Sequence, residues 1–111
     1  MKNVILVKST EPPVVEIDEE AWAAYVRFKR GAVSRTVELP RQRGMVTVDL
    51  DPNENVLGVE LIGVREFTLS ALLKRVPQIQ LRDATLLGKT RYISAARARS
   101  PAKEDPDLAV A

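Results

Sequence analysis

The sequence predicts an α+β domain, an antiparallel β-meander of four to five strands with one short helix packed on its apolar face. Three observations carry this expectation. Apolar and polar residues alternate within Ala23–Phe28, Val46–Leu50 and Leu57–Leu61, the period of strands with one buried and one wet face. Turn-favouring residues separate the runs, at Asp18–Ala21, Arg30-Gly31 and Pro52–Asn55. Beyond Leu61 the apolar period lengthens to that of a helix.

Val4–Val7 opens the chain as a short strand. Its apolar run after Lys2 is shorter than the roughly 7–15 residues of a signal-peptide core. No run approaches the roughly 20 apolar residues of a membrane span, so a cytoplasmic protein without membrane contact is expected. Pro12-Pro13 precedes Val14–Ile17, a strand that turns through Asp18–Ala21 into Ala23–Phe28. With Arg30 and Gly31 as a hairpin loop, Phe28 would lie opposite Val33, Val26 opposite Arg35, and Ala24 opposite Val37. Tyr25 and Arg27 would then face Thr36 and Ser34 on the polar side.

In the next hairpin, a loop over Pro52–Asn55 puts Val46, Val48, Leu50, Leu57, Val59 and Leu61 on one face and sets Thr47 opposite Glu60. Asn55 is the loop residue suited to left-handed φ. Phe67, Leu69, Leu72, Leu73 and Val76 then recur at near-helical spacing behind Thr68, an N-cap candidate, and Pro77 ends the run. Ile79–Leu87 reads two ways, strand-like over Ile79-Gln80-Leu81 and helical across Leu81, Thr85 and Leu87. Residues 1–99 are expected to form the domain, and residues 100–111, with Pro101 and Pro106 among charges, a flexible C-terminal tail.

At 111 residues, 45% hydrophobic and 29% charged, the chain has the size and composition of one globular domain. Aromatics make up only 5%, so Val, Leu and Ile must form the core. The absence of Cys removes disulfides and thiolate chemistry, and the absence of His removes the commonest general base and metal ligand. The serines have neither a His partner nor a Gly-x-Ser-x-Gly context. Charge is unevenly spread: residues 1–64 hold eight Lys/Arg against ten Asp/Glu, whereas Arg65, Lys74, Arg75, Arg82, Lys89, Arg91, Arg97, Arg99 and Lys103 face only Glu66 and Asp83 over residues 65–103. Such a basic third is either a solvated surface or a surface for an acidic partner.

The runs Ile17–Phe28 and Asp49–Leu61 together resemble a small prokaryotic family catalogued as domain of unknown function twenty-two eighty-three. Its members open on a pattern like Y-D-x-E-x-D-x-L-Y-I-x-L and close on D-x-D-x-x-G-x-x-x-G-I-E-I. The family pattern carries Asp where this chain has Trp22, and Gly where it has Glu54. The resemblance implies a fold rather than an activity. It also implies an antitoxin- or immunity-like partnership with a small neighbouring protein, because similar members are often encoded beside toxin-like proteins.

Asp49, Asp51, Asn53, Asn55 and Glu60 imitate the ligand spacing of a calcium loop, but Glu54 stands where that loop needs Gly and the flanks are strands, so no metal is expected. The polar face collects Tyr25, Arg27, Thr36, Glu38, Thr47, Asp49 and Glu60, more simply read as cross-strand pairing than as an acid/base site. No catalytic residue and no cofactor is assigned. The expected function is a non-enzymatic protein-interaction module, a homodimer with Trp22, Tyr25, Arg27, Arg82 and Arg91 as partner-binding candidates. The alternative is a nucleic-acid-associated protein using the basic C-terminal third. Tyr92 is the one aromatic interleaved with Arg82, Lys89, Arg91, Arg97 and Arg99, so a base-stacking platform and specific nucleic-acid binding are not expected.

Overall fold

The computed structural model describes residues 4–40 and 44–94. In chain order its elements are β1 (Ile5–Val7), β2 (Val14–Asp18), β3 (Ala23–Arg27), β4 (Arg35–Glu38), β5 (Met45–Leu50), β6 (Val56–Ile62), α1 (Leu69–Lys74), β7 (Ile79–Leu81), a 3-10 helix (Ala84–Lys89) and β8 (Arg91–Ser94). Six strands form one sheet in the order β4-β5-β6-β3-β2-β8, and β1 pairs with β7 in a separate two-stranded parallel sheet. The class is α+β as expected, but the architecture is not a four-to-five-stranded meander. The tail at 100–111 and the cations Arg97, Arg99 and Lys103 lie outside the described residues.

The expected β3–β4 hairpin does not form. Tyr25 pairs with Glu60 and Arg27 with Gly58 on β6, while Thr36 pairs with Asp49 and Val37 with Val48 on β5. The cause lies in the strands' composition. β6 is buried at five of seven positions, whereas β4, Arg-Thr-Val-Glu, is exposed at three of four. A β3–β4 pairing would leave the apolar β6 at an edge; the observed order gives β6 two neighbours and the polar strand the edge.

The connection from β3 to β4 therefore crosses the end of the β5–β6 hairpin, which makes β3 to β6 a Greek key. Phe28 and Lys29 donate backbone N–H bonds to the Leu57 carbonyl (2.8 and 3.2 Å), and Ser34 donates to the Leu50 carbonyl (2.7 Å). Gly31 lies against Leu57, since a Cβ there would come within 2.9 Å of Leu57 Cδ2.

The β5–β6 register follows expectation through Val46↔Leu61, Thr47↔Glu60 and Val48↔Val59, then a β-bulge brings Leu50 opposite Val56. Val56 thus joins the core cluster, and Leu57 is buried outside it. In the loop, the left-handed residue is Glu54 (φ 66°) rather than Asn55. This is the position where the family pattern carries Gly, the residue that adopts such a φ without a Cβ clash. Arg35 pairs with the Glu54 carboxylate at 2.5 Å.

Thr68 caps α1, its Oγ1 accepting from the Ala71 N–H (3.3 Å). The helix is shorter than the Thr68–Val76 expected, because Arg75 and Val76 close it with bonds to the Leu72 and Leu73 carbonyls ahead of Pro77. The ambiguous Ile79–Leu87 segment is both things in turn, β7 and then the 3-10 helix. The parallel strand β8 was not anticipated; the Arg91 N–H bond to the Pro13 carbonyl (3.0 Å) continues its pairing with β2.

The core joins Val15, Ala24, Val26, Val46, Val48, Val59 and Leu61 of the large sheet to Leu69, Leu72 and Val76 from the helical region and to Val7 and Ile79 of the small sheet. The second layer is therefore helix plus small sheet. The helix does not have to cover the apolar face alone, so incomplete covering is no reason for self-association.

Val59 is 2% exposed at the middle of this core. We expect Val59→Asp to cost several kcal/mol, on the order of the whole stability of a small domain. Loss of the cooperative thermal transition is the measurement; an unchanged Tm would mean that this face is not the core.

Candidate functional site

Period-two alternation places Tyr25, Arg27, Thr36, Glu38, Thr47, Asp49 and Glu60 on one face of the sheet, as expected, although their neighbours differ from the hairpin reading. Tyr25 lies over Gly58 and reaches across β6 to donate its hydroxyl to Asp49 Oδ2 (2.9 Å), while Thr36 Oγ1 donates to Asp49 Oδ1 (2.6 Å). Gly58 is required here, because a Cβ would fall inside the Tyr25 ring and hydroxyl. Arg27 pairs with Glu16 at 2.7 Å. Burial first, then the hydrogen bond to Asp49 and the charges of Asp49 and Glu16, push the Tyr25 phenol well above its ordinary pKa; Arg27 opposes them. Tyr25 is therefore a fixed hydrogen-bond donor at neutral pH, and both Asp49 oxygens are engaged.

Asp51 does not point into a solvated turn but is 7% exposed. Its Oδ1 accepts the Asn53 and Asn55 backbone N–H groups (both 2.9 Å), and its Oδ2 lies 3.7 Å from Lys29 Nζ. The Asn55 backbone N–H, above all, holds this carboxylate below its usual pKa, with Asn53, the Asn55 side chain and Lys29 adding to it and partial burial opposing. The letters that imitate a calcium loop thus order a turn. Among the described residues no three His, Cys, Asp or Glu side chains come together in a metal-holding group.

Trp22 is 47% exposed, although it is the chain's one tryptophan. Its backbone is left-handed (φ 52°), a region that costs a bulky residue about 1–2 kcal/mol. Three bonds hold it there: Trp22 N–H donates to the Glu19 carbonyl (3.3 Å), and the Trp22 carbonyl accepts from Gly63 and Val64 (2.7 and 2.9 Å). The Arg65 guanidinium stacks 4.6 Å from the ring centroid. Next to Trp22, Ala23 pairs with Ile62, and Ile62 with Met45; Ile62 is 37% and Met45 44% exposed. The sequence signal for this strip was visible but unread: Met45 and Ile62 are apolar residues in the polar phase of their strands.

Two hollows adjoin this corner. An acidic one of about 160 Å³ includes Glu16, Asp18, Glu60 and Ile62. The other, of about 370 Å³, is lined by Gly44, Gly63, Arg65, Glu66, Ala71 and Arg75. At the opposite end of β3, Arg27 and Arg91 flank Val14 across three adjacent strands, and with Arg30, Lys89, Glu11 and Pro12 they line a hollow of about 520 Å³. Of the partner-binding candidates, the structure brings together only Arg27 and Arg91. Tyr25 is held by Asp49, Trp22 occupies its own corner, and Arg82 follows the small sheet, its N–H bonded to the Val7 carbonyl (2.9 Å). Arg30 and Lys89, which sequence reasoning did not select, complete the basic hollow. Tyr92 does not stack there, because its hydroxyl accepts the Leu69 N–H (2.9 Å) at the start of α1.

Gly58→Ala should displace Tyr25 and break its bond to Asp49. We expect it to cost about 2 kcal/mol in denaturant unfolding, falling below about 1 kcal/mol in a Tyr25→Ala background, since the two changes share one contact. Additive costs would show that Gly58 serves something other than the ring.

A carboxylate whose folded pKa lies below its unfolded value, about 3.9 for Asp, contributes its full stabilisation above that value and loses it as pH falls through the folded one. Asp51 behaves in this way; Glu54 and Asp83, held low chiefly by side-chain hydrogen bonds from Arg35 and Thr85, titrate in the same sense. We expect Tm to fall as pH is taken from about 5 to 2. Asp51→Asn should lower Tm at neutral pH and shallow the acid limb. An acid limb of unchanged depth in that variant would remove Asp51 from the account.

Comparison with curated proteins and with solved structures found no match. Residues 15–65 match the sequence model of a family described as Protein of unknown function (DUF2283). The matched segment spans β2 to β6 and includes Trp22, Tyr25, Arg27, Asp49 and Gly58, whereas Lys89 and Arg91 lie beyond it. Over that stretch the chain resembles this family of unknown function, as its strand patterns led us to expect.

Proposed function

We propose that the protein is a non-enzymatic protein-interaction module that works as a homodimer, two copies meeting at the Trp22 corner. The observation that carries this reading is a tryptophan held in strained left-handed backbone yet left 47% exposed. Backbone strain concentrates at functional positions, and Trp and Arg are the residues most enriched in binding hot spots. Trp22 under Arg65 supplies both.

The surroundings favour a second copy as the partner. The apolar strip Trp22–Ile62–Met45 adjoins an acidic hollow with Glu16, Asp18 and Glu60, and a hollow to which Arg65 and Arg75 contribute. A two-fold interface is self-complementary, so it sets one copy's arginines against the other's carboxylates around a shared apolar centre. The non-enzymatic reading is supported by the engagement of two outer-face carboxylates, Asp49 by Tyr25 and Thr36 and Glu16 by Arg27. An antitoxin- or immunity-like role beside a small neighbouring protein, as the family resemblance implies, would use a surface that the dimer leaves open.

Light scattering across a concentration series should give about twice the 12.3 kDa chain mass. Trp22→Asn, which tolerates left-handed φ, should give the single-chain mass while keeping a cooperative melt. A wild-type particle of single-chain mass at the highest concentration would overturn the dimer, and a dimeric Trp22→Asn would move the interface elsewhere.

A further inference from the structure

We propose that the hollow between Arg27, Arg30, Lys89 and Arg91 binds the phosphate backbone of a nucleic-acid strand without reading its sequence. Four cations face a single carboxylate, Glu11, in a volume of about 520 Å³. Arg27 is paired with Glu16, whereas Arg30, Lys89 and Arg91 make no ion pair among the described residues. Glu11 in the lining, Glu16 on Arg27 and the charge of Asp83 acting on Lys89 offset these cations only in part; gathering four of them is unfavourable, and an anion relieves it.

The geometry suits a strand rather than a point anion. Arg27 and Arg91 both pair with Val14, on either side of it, so their backbones stand roughly 10 Å apart, two strand spacings. Val14 is 8% exposed, a floor between the two guanidiniums. Arg30 in the crossing connection and Lys89 at the end of the 3-10 helix extend the row beyond the sheet. Three of the four cations are arginines, whose planar fork matches phosphate oxygens in pairs.

The lining also separates this ligand from an acidic protein segment. Among the described residues its lining has no aromatic side chain, and apart from the arms of its cations its apolar part is Pro12 and the nearly buried Val14, so a peptide would find no aromatic anchor and a base no stacking partner. Charge alone remains, the regime of sequence-independent phosphate binding. The site draws two cations from before residue 65 and two from after it, so the basic C-terminal third is only half of it. It stands at the far end of β3 from Trp22 and is independent of the dimer reading.

The experiment is fluorescence anisotropy of the full chain with labelled 20-nucleotide single strands of two unrelated sequences, at 50 and 200 mM salt, with poly-glutamate as competitor. We expect similar affinity for both sequences, weakening roughly 20- to 50-fold over that salt range for three or four neutralised phosphates. Arg30→Gln/Lys89→Gln, both at exposed positions, should lower the salt slope by about 1.4 and weaken binding at 50 mM salt, with an unchanged thermal melt. Trp22→Asn should still bind. Absence of binding at 50 mM salt, or binding indifferent to the double variant and to Arg91→Gln, would overturn the proposal. Displacement by poly-glutamate at equal charge concentration would overturn it in favour of an acidic protein partner.

Discussion

The fold depends on burying β6. Val56–Ile62 is the most buried strand, and giving it neighbours on both sides forces β3 against it and sends β4 to the edge. The connection from Phe28 to Ser34 must then cross the sheet end, where Leu57 anchors it with two backbone bonds. That crossing carries Arg30 towards the β2–β8 edge. The same pairing sets Gly58 beneath Tyr25, which opens the path from the phenol to Asp49. One burial requirement thus orders the core, the outer-face network and the basic hollow.

The two left-handed residues other than glycine among those described, Trp22 and Glu54, lie where the chain departs from the family pattern of Asp and Gly. Both pattern residues accept left-handed φ at lower cost than their replacements. The turns themselves demand that conformation: the Trp22 carbonyl bonds two successive N–H groups, and the Glu54 N–H bonds the Asp51 carbonyl (2.9 Å). This chain holds that conformation with bulkier residues than the pattern's. At Glu54 the gain is an exposed pair with Arg35, whereas at Trp22 it is a large aromatic surface presented to solvent, which is why only the latter has the marks of a contact.

The carboxylates illustrate how folding disposes of apparent chemistry. Asp49, Asp51 and Glu16 are each drawn into hydrogen bonds within the fold, so carboxylates that the sequence spaces like a metal loop or offers as an acid/base pair serve as struts. The cations are treated differently. Arg27 and Lys29 have carboxylate partners, while Arg30 and Arg91 make no ion pair among the described residues, and this imbalance concentrates positive charge at one sheet end that the net charge of +2 conceals.

The sequence alone determined which side of β3, β4, β5 and β6 is wet, the Val46–Leu61 to Val48–Val59 register, the Thr68 cap and the stop before Pro77. These follow from local periods, turn chemistry and capping, which act over a few residues. It did not determine that β3 pairs with β6, that β1 and β7 make their own sheet, or that β8 adds in parallel. Those pairings are settled by competition among strands for the interior, a comparison of whole-strand burial that no local window contains. For the same reason Tyr25, Arg27 and Asp49 were legible as one polar face, since alternation fixes the face whatever the neighbour. The meeting of Arg30 and Lys89 with Arg27 and Arg91 was not, because only the tertiary crossing brings residues from both halves of the chain to one sheet end.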